Sequence, residues 1–141
     1  MWVIHPVLSH NVTVASSGPN NDGCNPESST DVVIENVFVR DVTIGETGSA
    51  IDIDMQYEEG GDGPFAPVVR NLVVERLAVR RADYAFSVRG LPQAPVRGLA
   101  VRDSSFLSVS RGSLLEHVED FLLSNVVIRP SSREPSAAPA P

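Results

Sequence analysis

The sequence predicts an all-β protein in which short strands recur along the chain and stack in parallel as a β-solenoid. Three observations predict this fold. Apolar residues alternate with a period of two, as in residues 11–14 and 50–55. β-branched residues dominate these stretches, which favours strands. One six-residue pattern also recurs, as expected when each coil lends its neighbours a core and a hydrogen-bond ladder.

The recurring pattern is a polar or small residue, an apolar one, any residue, an apolar one, any residue, and again a polar or small one. Five segments fit it, and residues 11–14 fit it in part: 31–36, 36–41, 71–76, 98–103 and 120–125. The first apolar positions are Val12, Val32, Val37, Leu72, Leu99 and Phe121, with successive gaps of 20, 5, 35, 27 and 22. Apart from the 5, these gaps suit solenoid coils. A β-sandwich is the alternative, although its strands recur at about 8–12 residues.

The gap of five arises because two copies of the pattern overlap at residues 34–36 (Ile-Glu-Asn). A coil cannot be five residues long, so the overlap predicts two coils fused at a shared tripeptide, with the intervening sequence missing. We expect about five coils in a shortened solenoid domain of residues 1–128. Residues 113–117 are the only helix-like segment. Residues 129–141 contain four prolines and are expected to form a disordered tail.

Composition limits the partners. The 141 residues carry a net charge of −7, with 11 arginines and no lysine, so a nucleic-acid backbone is not an expected partner. No apolar run approaches 18 residues, so no membrane partner is expected. The single cysteine, Cys24, excludes a multi-cysteine metal site. An exposed end of a solenoid favours association, so self-association through the coil ends is expected.

Residues 2–6, 11–14 and 18–28 resemble the first catalytic segment of glycoside hydrolase family 28, the polygalacturonase family. Residues 37–128 resemble the C-terminal coils of its bacterial members, chiefly through residues 55–60, 63–65, 67–71 and 115–119. The resemblance implies a right-handed, single-stranded, pectin-lyase-like parallel β-helix. It also implies inverting hydrolysis of a galacturonan-like polysaccharide without metal or cofactor. Residues 1–6 do not form a signal peptide, so the chain itself leaves the location open. The resemblance implies a secreted or periplasmic location.

The family uses three aspartates, one as general acid and the others to activate water, and inversion requires carboxyls roughly 6.5–9.5 Å apart. Its first aspartate lies in an Asn-Thr-Asp type motif, which residues 20–22 match with asparagine in the middle. The resemblance therefore makes Asp22 the candidate catalytic residue, and Asn20 and Tyr57 candidate substrate-binding residues. Residues 20–22 could instead form an Asx turn without catalysis, and Tyr57 could end a strand with its ring half-buried.

The family's other motifs are absent. The chain has no Asp-Asp dipeptide, no histidine flanked by glycines and no lysine, so the Gly-Asp-Asp, Gly-His-Gly and Arg-Ile-Lys motifs are missing. A lone carboxylate cannot act as both acid and base. We therefore expect little or no turnover. The alternative function is a non-catalytic carbohydrate-binding or structural β-solenoid.

Other polar residues have structural explanations beside functional ones. Asp52 and Asp54 share a strand face and could bind a cation or act as acid and base, but they also suit a solvated face. Arg80, Arg81 and Arg89 could bind a uronate or simply point outward. Cys24 could be a nucleophile, although a small packed residue is the simpler interpretation. His5 and His117 are expected to be packing or surface residues.

Overall fold

A computed structural model describes residues 33–56 and 66–132, which are almost entirely β-strand. The strands are β1 (Val33–Asp54), β2 (Val68–Arg89), β3 (Val96–Glu116), β4 (Val118–Glu119) and β5 (Leu122–Pro130). The described ranges contain no helix, which confirms the prediction of an all-β chain. The helix-like segment 113–117 forms the end of β3 and the residue that follows it.

All strand pairs are parallel, in the order β1-β2-β3-β4, and β5 pairs with β3 beyond the short β4. The register places Val37 beside Leu72 and Leu72 beside Leu99. Paired residues are thus 35 positions apart in the sequence between β1 and β2, 27 between β2 and β3, and 22 between β3 and β5. Side-chain hydrogen bonds between these strands join residues with the same separations. These separations equal the last three gaps of the sequence pattern. The parallel pairing was therefore predicted, and the register that the structure shows matches the spacing of the pattern.

Two rows of residues with positive φ interrupt the strands, five residues apart at each level of the stack. The first row is Asn36, Asn71, Gly98 and Asp120; the second is Asp41, Arg76, Asp103 and Asn125. Left-handed backbone turns the chain sharply, and Gly, Asn and Asp tolerate it best. We call these the first and second corner rows. Their side chains bond between levels, since Asn71 Nδ2 donates to Asn36 Oδ1 at 2.5 Å.

The corner rows give the five-residue gap a different explanation from a fusion of coils. Residues 34–36 lie within the continuous strand β1, and Asn36 is a corner with φ of 56°. The two overlapping copies of the pattern meet at this corner. The same five-residue step separates Asn71 from Arg76 at the next level. The overlap therefore requires no junction, and the case for lost sequence rests on the missing motifs alone.

Alternate residues of each straight segment point into one apolar core. The core includes Leu72, Val74, Leu77, Val79, Phe86, Val88, Leu99, Val101, Phe106 and Val109. The rings of Phe86 and Phe106 pack edge to face with centroids 5.2 Å apart, and Phe86 makes a similar contact with Phe121 at 5.4 Å. This geometry adds to the stabilisation from burial.

One buried polar side chain belongs to the corner architecture. The backbone ladder between β2 and β3 is interrupted after Glu75 and Arg102 and resumes at Ala78 and Ser105. Within this gap the Leu77 amide donates to Ser104 Oγ at 3.1 Å, and Ser104 Oγ donates to the Arg102 carbonyl at 2.7 Å. Ser104 is 3% exposed. Its hydroxyl therefore replaces a backbone acceptor that the corner removes.

At its C-terminal end the described stack runs two residues past residue 128. β5 continues through Arg129 and Pro130, and the Ser131 amide donates to the Val109 carbonyl at 2.8 Å. The first residues of the predicted tail thus belong to the stack. The segment 133–141 lies outside the described residues.

Candidate functional site

The three residues predicted from the family resemblance lie outside the described residues. Asp22, Asn20 and Tyr57 have no described position, and the same holds for Cys24. The candidate site is therefore built from the strands that the structure describes.

Asp52 and Asp54 lie on one face of β1, as the alternation predicts, but they do not act as a matched pair. Asp54 lies 3.5 Å from Arg89, and its Oδ1 accepts the Gln56 amide at 2.8 Å. Asp52 is exposed beside Ser87. One carboxylate is thus held by an arginine and an amide, which leaves a solvated face rather than an acid–base pair.

Arg89 is neutralised by carboxylates on both sides. It lies between Asp54 and Glu116, which it contacts at 3.5 and 3.4 Å, and Gln56 Oε1 accepts a hydrogen bond from it at 3.1 Å. Two carboxylates around one guanidinium leave the cluster with net negative charge. A uronate would be repelled here, so Arg89 serves the packing between levels.

The two other predicted basic residues and His117 are at the surface. Arg81 pairs loosely with Glu46 at 3.7 Å, and Arg80 is exposed. His117 has φ of 50°, and its carbonyl accepts the Val96 amide at 3.0 Å. It is a turn residue at the surface.

A groove lined by both apolar and charged side chains lies on the outward face between the two corner rows. It encloses about 180 Å³, and its lining residues are Phe38, Val39, Arg40, Val73, Glu75 and Arg102. Phe38 is 64% exposed, which is unusual for a phenylalanine. The groove thus combines an accessible aromatic ring with two arginines.

The charges in this groove are unevenly compensated. Glu75 lies 3.8 Å from Arg102 and 3.6 Å from Arg76, so its one charge is shared. Among the described residues, Arg40 has no carboxylate oxygen within 4.0 Å. Its charge acts on the adjacent Asp41, whose pKa lies below its ordinary value, mainly through the hydrogen bond from Arg76 and with a smaller contribution from Arg40. The groove is a locally positive place on an acidic chain.

The strand register builds this groove. Phe38, Val73, Ala100 and Leu122 occupy one outward row, and Arg40, Glu75, Arg102 and Ser124 occupy another. Sequence reasoning missed it because the repeat pattern treats these positions as any residue. The sequence did carry a sign of this groove, because the third position of the pattern is apolar in β1, β2, β3 and β5 although it does not face the core.

An aromatic ring and an arginine are in contact farther along the strands. The Arg111 guanidinium lies 5.9 Å from the ring centroid of Tyr84, beside a register shift between β2 and β3. A hydrogen bond with Tyr84 raises the pKa of Arg111. Asp83, which bonds Ser110 at 2.7 Å, also acts on this arginine. The face of the Tyr84 ring is already occupied by the Arg111 guanidinium. Both groups are therefore less available to a ligand than those of the groove.

Comparison of the chain with protein-family models, curated proteins and solved structures found no match. Within the two described ranges, no three His, Cys, Asp or Glu side chains are grouped so that they could hold a metal ion. No helix long and apolar enough to cross a membrane was found there.

Proposed function

We propose that the parallel strands coil around a common axis as a right-handed, pectin-lyase-like β-helix. The contact between Phe86 and Phe121 supports the coiling. Leu122 lies in the same row as Ala100 and Val73. Phe121, one residue earlier, therefore occupies the same position along its strand as Leu72 does in β2. In a straight strand, positions 72 and 86 would be about 45 Å apart, at about 3.3 Å per residue. The rings of Phe86 and Phe121 are nevertheless in contact.

The short connection between β2 and β3 supports the same conclusion. β2 ends at Arg89 and β3 begins at Val96, beside the start of β2. The six residues between them span about 25 Å at most, whereas a flat 22-residue strand is about 70 Å long. A parallel neighbour reached by so short a connection requires the strand to bend back on itself. The corner rows supply these bends. The right hand comes from the family resemblance.

We propose that this β-helix binds an acidic polysaccharide of the galacturonan type in the groove between the corner rows. The observation that carries the proposal is the exposed ring of Phe38 beside Arg40, whose guanidinium has no carboxylate partner among the described residues. A pyranose ring presents an apolar face to an aromatic side chain, and a uronate carboxylate matches a guanidinium in shape and charge. A groove that combines apolar side chains with a few charged groups is typical of ligand sites, and this one has three of each.

The proposal is tested by calorimetric titration of the full chain with oligogalacturonides. Phe38→Ala removes the ring and Arg40→Ala removes the carboxylate partner, so each is expected to raise Kd about tenfold, equivalent to about 1.4 kcal/mol. Arg80→Ala is the matched control, since it removes an exposed arginine outside the groove and should leave Kd unchanged. Tyr57→Ala tests whether the tyrosine predicted from the sequence also contacts the sugar.

Ligand charge provides an independent check. Methyl-esterified oligogalacturonides keep the sugar rings but lack the carboxylates, and they should bind the wild-type chain about as weakly as the acid form binds Arg40→Ala. Equal binding of both ligands, or equal losses in the Arg40 and Arg80 variants, would contradict the proposed site.

We further propose that the chain hydrolyses galacturonan little or not at all, despite its resemblance to a glycosidase family. The support is the absence of the Asp-Asp and Gly-His-Gly motifs from the whole sequence. The test is release of reducing sugar from polygalacturonate. Clear activity that is lost in Asp22→Asn would refute this proposal and establish Asp22 as catalytic, while leaving the binding measurements independent.

A further inference from the structure

The described stack ends on each side in a strand with only one neighbour. Among the strands that the structure describes, β1 pairs only with β2, and β5 pairs only with β3. Core-facing side chains are exposed on both end strands, with Val37 exposed by 37% on β1 and Leu123 by 43% on β5. A cavity of about 260 Å³ also opens beside β1. Unpaired strand edges with exposed apolar side chains are templates for a further strand.

We propose that these two ends bind each other, so that β5 of one copy of the chain adds in parallel to β1 of a second copy. The corner rows set the register of this junction, because corners stack on corners at every level of the described structure. Asp120 of the first copy then lies beside the second copy's Asn36. Asn125 of the first copy lies beside the second copy's Asp41.

This register matches polar groups at both corners. Each corner of the junction faces an amide with a carboxylate, which is a favourable pair. The same type of contact already exists within one copy, where Asn125 Nδ2 donates to Asp103 Oδ1 at 2.7 Å. A hydrogen bond to a charged group is stronger than one between neutral groups. A shift by one residue would lose both pairs and would turn the apolar side chains away from the core.

The apolar side chains match in the same register. On the core side, Leu123 stacks on the second copy's Val39, which is 38% exposed. On the outward side, Leu122 stacks on the second copy's Phe38, and these are 49% and 64% exposed. These contacts would remove apolar surface from water on both faces of the strand. Because Leu122 would cover part of the Phe38 ring, a ligand in the groove would compete with the junction, and association is therefore measured without ligand.

One row opposes the junction. Glu35, Arg70, Arg97 and Glu119 form a row across the levels, and it ends in a carboxylate on each side. The junction brings Glu119 near the second copy's Glu35. Arg70 contacts Glu35 at 2.6 Å and Arg97 contacts Glu119 at 2.7 Å, which weakens the repulsion. Removing one carboxylate should therefore strengthen association.

A head-to-tail contact of this kind uses two different surfaces, so it is open-ended unless the rotation closes a ring. Its signature is a mass that rises with concentration through successive oligomers. Residues 1–32 directly precede β1 and are the competing occupant of that end. Their occupation of β1 would leave the chain monomeric.

The test is sedimentation velocity of the full chain over a wide concentration range without ligand. Ser124 is exposed and would face the second copy's Arg40 in the proposed register. Ser124→Arg should lower the association constant about two- to fivefold, as expected for an exposed charge pair. Adding Arg40→Glu to that variant should restore it. Ala78→Arg, an equally large change at an exposed position inside the stack, is the control and should have no effect.

Glu119→Gln provides an opposite prediction, because it should strengthen association. Thermal unfolding of each variant at low concentration checks that the fold is intact. The proposal is overturned by a wild-type mass that stays monomeric at all concentrations, which would indicate an end already covered within the chain. It is also overturned if Ser124→Arg and Ala78→Arg behave alike, or if the charge swap fails to restore association.

Discussion

Replacing Ser104 by alanine tests whether the corners are built as described. The hydroxyl accepts the Leu77 amide at 3.1 Å and donates to the Arg102 carbonyl at 2.7 Å, and both Ser104 and Leu77 are 3% exposed. Alanine removes one acceptor and leaves a buried backbone amide without a partner. An unsatisfied buried donor costs about 1–3 kcal/mol. We expect the free energy of unfolding to fall by about that amount.

The assay is equilibrium unfolding in urea, monitored by far-UV circular dichroism at low protein concentration. Ser105→Ala is the matched control, because the adjacent hydroxyl makes no hydrogen bond among the described residues and its loss should change stability by no more than about 0.5 kcal/mol. Equal effects of the two substitutions would refute the assignment of the hydroxyl as a structural acceptor. A change in the urea dependence with Ser104→Ala would instead indicate altered compactness of one state.

Three further predictions use the same unfolding assay. Phe106→Ala should cost about 3–5 kcal/mol, because the ring is 0% exposed and its loss leaves a cavity; a loss below about 1 kcal/mol would argue against a packed interior. Gly90→Ala should destabilise strongly, since a Cβ would lie within 3.0 Å of backbone atoms, whereas Gly48→Ala meets nothing within 4 Å and should be tolerated. The pKa of Asp41 lies below its ordinary value in the folded chain because Arg76 donates hydrogen bonds to the carboxylate. The stability that Asp41 contributes is therefore present above the pKa of an unfolded aspartate and is lost as pH falls through the lower folded pKa. Asp41→Asn should therefore reduce the loss of unfolding free energy that occurs as pH is lowered in the acid range. An unchanged pH dependence would count against a stabilising ion pair between Arg76 and Asp41.

Much of the fold was predictable from local pattern. The six-residue pattern located the strands, and its last three gaps gave the register between them. Both follow from alternation, because an apolar residue at every second position must face a core. The corner residues were also visible as the polar or small positions that begin and end the copies of the pattern, among them Asn36 and Asn71. Their left-handed backbone was not, since asparagine there suits a strand end as well as a sharp turn.

The candidate site was less accessible to sequence reasoning. The residues that carry the family resemblance, including Asp22 and Tyr57, are outside the described residues, so their roles remain predictions. Arg89 and Arg40 look alike in sequence, yet Arg89 is held between two carboxylates and Arg40 has no such partner among the described residues. Which arginine keeps its charge available depends on neighbours 27 and 35 residues away.

The sequence by itself determined that the chain is all-β and that its strands recur at intervals suited to stacking. Only the tertiary structure decided what the five-residue step means. Strand alternation is a local property, because it reflects only which side chains are buried and which face water. The same alternating sequence is expected in a straight strand and in one that turns. The turn at Asn36 is held by its contact with Asn71 at the next level. A contact across levels exists only once the strands have paired, so no stretch of sequence at the overlap could distinguish a corner from a fused coil.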